Sequence, residues 1–222
     1  MASCMTSAGR PAPTRAQYLL FGDWHPWLRD PLDLLRLGLV VAAVLALMRG
    51  VDGGSLMLTA MAATGVAVRP LLLPRLYDLL LLIALGLQGI GEDVGAYDSL
   101  AWFDRVVHFV FPLLASGVLY VTLARLDVLP DPRSETGRRH LVGIGIVTFA
   151  LGAAFGAVWE LVEWASDAAF GSTLQEGNDD TVGDLAMDSL GAIAAGLLLV
   201  LWTLRGWGSV RRVPGTHREA HF

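Results

Sequence analysis

Six ionisable side chains have a spacing that suits metal binding: Asp104, His108, Glu160, Glu163, Asp184 and Asp188. Within each successive pair the two residues are three or four positions apart. Steps of three or four return a side chain to the same face of an α-helix. Each pair therefore predicts two ligands on one helical face, and the three pairs together predict one cluster.

The types of these side chains indicate which metal would bind. Carboxylates with one imidazole and no thiolate suit Mg²⁺, Mn²⁺ or Ca²⁺, and His108 also allows Zn²⁺. We predict all six residues as metal ligands, with Glu160, Asp188 and His108 as the candidates for catalysis. A metal-activated water and a carboxylate base would suit hydrolysis or group transfer. The sequence contains no HExxH signature and no Gly-rich phosphate loop, so no nucleotide cofactor is predicted.

The segments that carry these residues are apolar enough to lie in a membrane. Hydrophobic residues make up 54% of the 222 residues and charged residues 17%, whereas soluble domains have about 45–50% and about 25%. We predict an all-α, polytopic membrane protein with about six spanning helices, at 33–50, 54–73, 75–91, 104–126, 140–167 and 181–204. Residues 31–205 are predicted to form one membrane domain. Residues 1–30 are predicted as a cytoplasmic or interfacial segment, and residues 206–222 as a cytoplasmic tail.

The basic residues predict the orientation of these helices. All 16 are arginine, and 14 of them lie on one side of the predicted membrane, with only Arg49 and Arg105 on the other. The positive-inside rule then predicts that both termini are cytoplasmic. We expect a multi-pass protein of the bacterial inner membrane, with its acidic cluster facing outward.

Small residues predict how the last two helices pack. Gly152 and Gly156 share a face with Glu160, and Gly191 and Ala195 share a face with Asp188. Small residues spaced in this way let helices approach closely in lipid. We expect the two small faces to pack against each other and to bring the carboxylates together.

The aspartates that open the last helix differ in depth. Asp179 and Asp180 stand at its start, where acids cap free N–H groups and favour the helix dipole. Asp188 lies about 12 Å further along the axis than Asp180, which is too deep for a cap. Ionisable residues inside a membrane usually serve a function, so we predict a functional role or a buried partner for Asp188.

Three motifs carry a resemblance to a known family: WFDRVVHF (Trp102–Phe109), VWELVEW (Val158–Trp164) and DDTVGDLAMDSLGA (Asp179–Ala192). Through them the chain resembles the YjdF-type family of bacterial inner-membrane proteins. That family usually has Lys after the Asp of the first motif, where this chain has Arg105. A looser similarity to VanZ-like membrane proteins rests on the D-x-x-x-H-F element. The resemblance implies a multi-helix membrane protein and an acidic cluster that acts as a unit, but no substrate.

Three classes of function remain open. We favour an outward-facing metal site that acts on a lipid or an envelope precursor. A proton- or cation-coupled transporter would use the carboxylates as relay sites, with Asp78 as its acidic candidate near the inner face. A structural or assembly protein would use the charged residues only to hold helices together.

The distribution of ionisable residues along the depth of the membrane disfavours a transport function. The inner halves of the last three helices carry hydroxyls such as Ser116, Tyr120 and Thr148 but no ionisable residue before their ends. The predicted partners are the lipid bilayer and a lipid or envelope-precursor ligand, without nucleic acid, and the sequence leaves the oligomeric state open.

Overall fold

The computed structural model describes residues 31–71, 73, 75–132, 137–171, 174–175 and 177–205. Six long helices confirm the all-α class: α1 Pro31–Arg49, α2 Gly53–Ala67, α3 Arg75–Asp93, α4 Phe103–Arg125, α5 Arg138–Phe170 and α6 Asn178–Arg205. A 3₁₀ turn at Arg69–Leu71 and a short helix at Ala96–Ser99 lie between them, and the described ranges contain no β-strand. The predicted cytoplasmic segments 1–30 and 206–222 lie outside the described residues.

Five segments are long and apolar enough to cross a membrane: Pro31–Arg49, Gly53–Leu71, Phe103–Arg125, Arg138–Ala169 and Asn178–Leu204. The count is therefore about five, whereas the sequence analysis expected about six. The difference lies in α3, which carries Asp78 near its start and Glu92 and Asp93 at its end. Leu81 and Leu85 of α3 are buried in the protein core. This helix lies alongside the others but has a less apolar sequence.

The helices pack in two groups of three. Helices α1, α2 and α3 contact one another, as do α4, α5 and α6, and the packing of α3 on α4 joins the groups. The first group has a core around Leu39, Leu58 and Leu82. The larger core runs from Leu81 of α3 across α4 and α5 to Leu199 of α6. Helix α4 thus lies at the centre of the molecule, between α3 and the other two helices of its group.

Small residues bring α5 close to α6, as expected from the sequence. A Cβ atom at Gly152 would overlap Ala192 of α6 and Ser116 of α4. A Cβ atom at Gly156 would overlap the Asp188 carboxylate. Glycine at 156 therefore makes the space that the Asp188 side chain occupies.

The neighbour of Gly191 differs from the expectation. A Cβ atom at Gly191 would overlap the backbone carbonyl oxygen of Phe109 in α4 and would approach Leu113 of the same helix. The predicted packing of Gly191 against α5 is therefore wrong. The reason is that α6 packs against both α4 and α5, and the face that carries Gly191 is turned toward α4.

A buried cluster of four charges holds α1, α2 and α3 together near the start of α3. Arg36 donates through Nη1 to Asp33 Oδ1 at 3.0 Å, through Nη2 to Asp78, and through Nε to the Gly65 carbonyl at 3.0 Å. Arg69 donates to both carboxylate oxygens of Asp33, at 2.9 and 3.2 Å. Two arginines balance two aspartates, as a low-dielectric interior requires. In the sequence these arginines stand out only as inner-side charges, and no pattern there predicts the cluster.

At its opposite end, this helix group is stabilised by a helix N-cap and by a salt bridge at the surface. The Asp52 carboxylate accepts from the Ser55 backbone N–H at 2.8 Å, and the Asp52 N–H donates to Ser55 Oγ at 3.0 Å. This reciprocal capping box starts α2. The hydrogen bond from the Ser55 N–H holds the pKa of Asp52 below its ordinary value. Nearby, Arg49 at the end of α1 pairs with Asp93 at the end of α3.

Candidate functional site

His108 lies at the centre of the acidic cluster. Its side chain is 6% exposed, and its Nδ1 is 3.3 Å from each carboxylate oxygen of Asp188. The other ring nitrogen, Nε2, is 3.5 Å from Asp104 Oδ1. Glu160 Oε1 is 3.9 Å from Nδ1. Residues of α4, α5 and α6 therefore meet around one imidazole.

The positions along the helices explain this meeting. Asp104 is one turn before His108 on α4, so both point to the same side of the helix. Glycine at 156 lets the Asp188 carboxylate fit between α5 and α4. The i, i+4 spacings read from the sequence thus predicted which side chains converge.

Two groups of side chains have metal-ligand geometry. One comprises Asp104, His108 and Asp184, and the other comprises His108, Glu160 and Glu163. In each group one ligand atom per residue lies within 4.8 Å of the others. Because Nε2 of His108 is near Asp104 whereas Nδ1 is near Glu160, the two groups lie around different ring nitrogens.

Each group also contains a buried carboxylate oxygen without a hydrogen bond. Asp184 Oδ1 and Glu160 Oε1 have no hydrogen-bond partner within the part of the chain that the structure describes. Asp184 is 2% exposed and Glu160 is 5% exposed. A buried polar atom without a partner costs about 1–3 kcal/mol, and more when it is charged. A cation bound in one group would satisfy the free oxygen of that group, and a proton would satisfy the free oxygen of the other group.

Neutral side chains around the cluster donate hydrogen bonds to its two glutamates. Glu163 accepts a hydrogen bond from Trp159 Nε1 at 2.7 Å. Glu160 Oε2 accepts from Gln175 Nε2 at 3.3 Å, and the same amide donates to the Glu160 backbone carbonyl at 3.2 Å. Gln175 could not be identified from the sequence, because a single Gln between helices belongs to no pattern.

The remaining acids of this region lie around the cluster. Asp167 accepts from the backbone N–H groups of Leu174 and Gln175 at 2.9 and 3.0 Å, so it orders the chain after α5. Asp179 and Asp180 lie in the first turn of α6, as expected. None of these three belongs to either ligand group among the described residues.

Positive charge near the cluster is limited. Arg105 is exposed, and its guanidinium lies beside Gly183 of α6, 3.5 Å from where a Cβ would stand. It therefore covers the outer edge of α6 rather than the centre of the cluster. Among the described residues, five carboxylates around His108 thus have one neighbouring arginine, at the rim. Either protons on several carboxylates or a divalent cation would balance the excess of negative charge.

The helix lengths give the depth of the site. At 1.5 Å per residue, His108 lies about 26 Å from the α4 end at Arg125, and Asp188 lies about 26 Å from the α6 end at Arg205. The hydrocarbon core of a bilayer is about 30 Å thick. If the helices are little tilted, we therefore expect the cluster to lie just inside one boundary of the hydrocarbon.

Comparisons with known proteins place the chain in a family. Residues 34–205 match the family described as "Predicted membrane protein (DUF2238)". A Thermotoga maritima protein named "Uncharacterized protein" is 26% identical over 103 residues, which are 46% of this chain and 50% of that protein. The chain therefore matches about half the length of this curated relative, and no solved structure matches it significantly. Since the family match runs from the first turn of α1 to the end of α6, the chain belongs to the DUF2238 family of predicted membrane proteins.

Proposed function

We propose that α4, α5 and α6 form a divalent-metal site on the outer side of a bacterial inner membrane, and that this site acts on a lipid or envelope precursor. The observation that carries the proposal is the buried Oδ1 of Asp184: this residue lies in ligand geometry with Asp104 and His108, and the oxygen has no hydrogen-bond partner among the described residues. The predicted orientation and the resemblance to YjdF-type proteins support the location. The depth of the cluster supports a substrate at the level of the lipid headgroups.

The geometry around His108 favours one assignment of roles. Asp104, His108 Nε2 and Asp184 would hold the cation, while Asp188 accepts a hydrogen bond from His108 Nδ1–H. A carboxylate on the second ring nitrogen fixes the orientation of a metal-binding histidine and raises its basicity. In this assignment Asp188 is an orienting residue rather than a ligand.

The second ligand group supplies a proton acceptor. Glu160 and Glu163 lie on the Nδ1 side, where Gln175 and Trp159 hold them by hydrogen bonds. A bound divalent cation would supply an activated water to the site. In this assignment the Oε1 of Glu160, which has no hydrogen-bond partner among the described residues, would be the proton acceptor.

Metal analysis of the purified protein tests the proposal. Protein prepared without chelator and then titrated with Mn²⁺ or Zn²⁺ should bind one of them, as measured by elemental analysis and calorimetry. Asp184→Asn should lose binding because it removes a charged ligand. Asp98→Asn, an exposed acid in the short helix between α3 and α4, is the matched control and should bind as the wild type does. Wild-type protein that binds none of Mg²⁺, Mn²⁺, Ca²⁺ and Zn²⁺ would contradict the proposal.

A transport function has less support from the side chains below the site. The hydroxyls of Ser116, Thr148 and Thr203 donate to backbone carbonyls one turn earlier in their own helices, at 2.5–2.8 Å. They are therefore satisfied locally and form no relay toward the inner face. Asp78, the candidate for a lower gate, is paired with Arg36 in the α1–α3 cluster. Cation uptake into proteoliposomes that depends on Asp78 would reverse this preference.

A purely structural role makes a different prediction for the same variants. If the cluster only holds helices together, Asp184→Asn should lower thermal stability, and the wild type should contain no metal. If the cluster binds a cation, Asp184→Asn should keep the stability of the metal-free wild type and lose the stabilisation that added metal provides.

A further inference from the structure

A cleft lies beside His108 between the two groups of helices. Its apolar wall is formed by Met61 of α2, Phe111 and Pro112 of α4, and Phe155 of α5. Its polar end is formed by residues of α3, α4 and α6, namely Gln88, His108 and Asp188. The cleft is therefore apolar along most of its length and polar where it meets the acidic cluster.

The cleft is continuous with the lipid-facing surface. Helices α2 and α5 belong to different groups and do not pack against each other, so a gap is left between them with α4 at its base. Phe155, at the edge of this gap, is 38% exposed. It stacks on Phe111 with ring centroids 5.4 Å apart and planes within 9°. Both aromatic rings belong to segments that are long and apolar enough to cross a membrane, so we expect the open side of the cleft to face hydrocarbon.

The polar end presents an unused hydrogen-bond donor. Gln88 is 7% exposed, and its Oε1 accepts from the Tyr97 hydroxyl at 2.8 Å. Among the described residues nothing accepts a hydrogen bond from its amide NH₂ group. This NH₂ group can donate to an acceptor in the cleft that Gln88 lines. It is suited to an oxygen atom of a ligand.

The size of the cleft indicates how a ligand would enter. The cleft has a volume of about 40 Å³, compared with about 10–15 Å³ for one water. That volume takes only a small apolar group, so the rest of a longer chain would remain in contact with the bilayer. Water would bind poorly along most of this wall, because it finds no hydrogen-bonding side chain there. The wall residues are Met61, Phe111, Pro112 and Phe155.

We infer that this cleft binds one acyl chain of a bilayer glycerophospholipid, with an ester or phosphate oxygen accepting a hydrogen bond from Gln88. The polar end lies near the boundary of the hydrocarbon, which is the depth of the lipid ester and phosphate groups. This inference deepens the proposed function, because it names the class of lipid presented to the His108 cluster. The binding itself does not require a metal.

Photo-crosslinking in a bilayer tests the inference. The full chain is reconstituted into phosphatidylglycerol vesicles that contain a small fraction of phosphatidylcholine with a diazirine on its acyl chain. After illumination, adducts are mapped by peptide mass spectrometry. We expect adducts to be enriched severalfold on Met61, Phe111 and Phe155 relative to exposed apolar residues of α1 such as Leu34 and Leu45.

Two variants on α2 sharpen the test. Met61→Trp fills the cleft and should reduce the adducts on Phe111 and Phe155 severalfold. Leu56→Trp places the same side chain on the exposed face of α2, since Leu56 is 55% exposed, and should leave those adducts unchanged. Adducts spread evenly over the exposed surface of the wild type would overturn the inference, and this result does not depend on whether either variant folds.

The result of the crosslinking experiment can be distinguished from the result of the metal-binding experiment. Asp184→Asn should keep the cleft adducts even though it loses metal. Enriched adducts in a protein that binds no metal would support the lipid cleft and contradict the proposed metal site. Metal binding without enriched adducts would support the proposed metal site and contradict the lipid cleft.

Discussion

At the level of single residues, substitution of Asp188 and substitution of Asp180, both in α6, should differ in their effect on metal binding. Asp188→Asn weakens the hydrogen bond to His108 Nδ1 while keeping the side-chain shape. Loss of such an orienting partner typically lowers metal affinity about 10–100-fold. Asp180→Asn changes a residue of the first helical turn and should keep the affinity within a factor of two or so of the wild type. Calorimetric titration with Mn²⁺ measures both.

The reverse result would move the functional element to the start of α6. If Asp180→Asn lost the metal and Asp188→Asn retained it, the contact between Asp188 and His108 would be incidental to binding. Circular dichroism of both variants controls for loss of helix.

Side chains in a repeated pattern could be predicted from the sequence, and isolated ones could not. Asp104 and His108 converge with Asp188 because helical periodicity places them, and periodicity can be read from the sequence. Gln88 and Gln175 are single neutral residues, and their importance comes from neighbours that are distant in the chain. The Asp33–Arg36 pair has helical spacing, but its burial depends on α2 and α3.

At the level of helices, the close packing of α6 on α4 predicts a strict requirement for glycine at 191. Gly191→Ala places a methyl group against the Phe109 carbonyl oxygen and should destabilise the protein by about 1–3 kcal/mol, as overpacking does. Gly143→Ala in α5 is the control, because its Cβ would have nothing within 4 Å. It should be neutral or stabilising by up to about 1 kcal/mol, since alanine favours helix. Thermal unfolding in detergent compares the two, and equal stability would contradict the packing.

The charged cluster of α1–α3 should contribute far more to stability than the surface pair of the same helices. Asp78→Asn leaves Arg36 buried with less compensating charge, and breaking a buried pair typically costs about 3–5 kcal/mol. Arg49→Gln breaks a pair whose arginine side chain is 64% exposed. Exposed pairs contribute about 0–1 kcal/mol.

Denaturation of the two variants under identical detergent conditions measures this difference. Similar midpoints would mean that the α1–α3 cluster is accessible to water and does not hold the helices together.

Helix α3 shows why the bounds of a helix are easier to predict from the sequence than the surroundings of its side chains. Its range of 75–91 was close to the observed Arg75–Asp93, because a run of leucines is a strong helical signal. Its hydropathy is lowered by acids at both ends, however, and only the structure shows Leu81 and Leu85 in the core. In the same way, the small residues of α6 predicted close packing, but not that Gly191 would face α4.

At the level of the whole molecule, the arginine distribution predicts that α5 and α6 are joined outside the cell. In a Cys4→Ser background, Leu174→Cys should react with an impermeant thiol reagent in intact cells. Val128→Cys, after α4, should react only after permeabilisation. Both positions are exposed, at 47% and 65%, so access to the reagent depends on the side of the membrane. Labelling of Val128→Cys alone would invert the orientation and place the acidic cluster inside.

The arrangement of the helices in two groups could not be predicted from the sequence. Lipid-facing and protein-facing residues are equally apolar, so hydropathy gives no lateral order to the helices. The cleft depends on that lateral order, because it exists only where α2 and α5 fail to meet. The cluster around His108 is less dependent on it, since three sequential helices supply its residues.

The charged cluster of α1–α3 has a consequence for biosynthesis. When α1 emerges from the ribosome, Asp33 and Arg36 have each other but not their other partners, because Arg69 follows Asp33 by 36 residues and Asp78 follows Arg36 by 42. Charged residues within a spanning segment oppose its release into lipid. We therefore expect the insertion machinery to retain α1 until α3 has been translated, so that the first three helices enter the bilayer as one assembled unit.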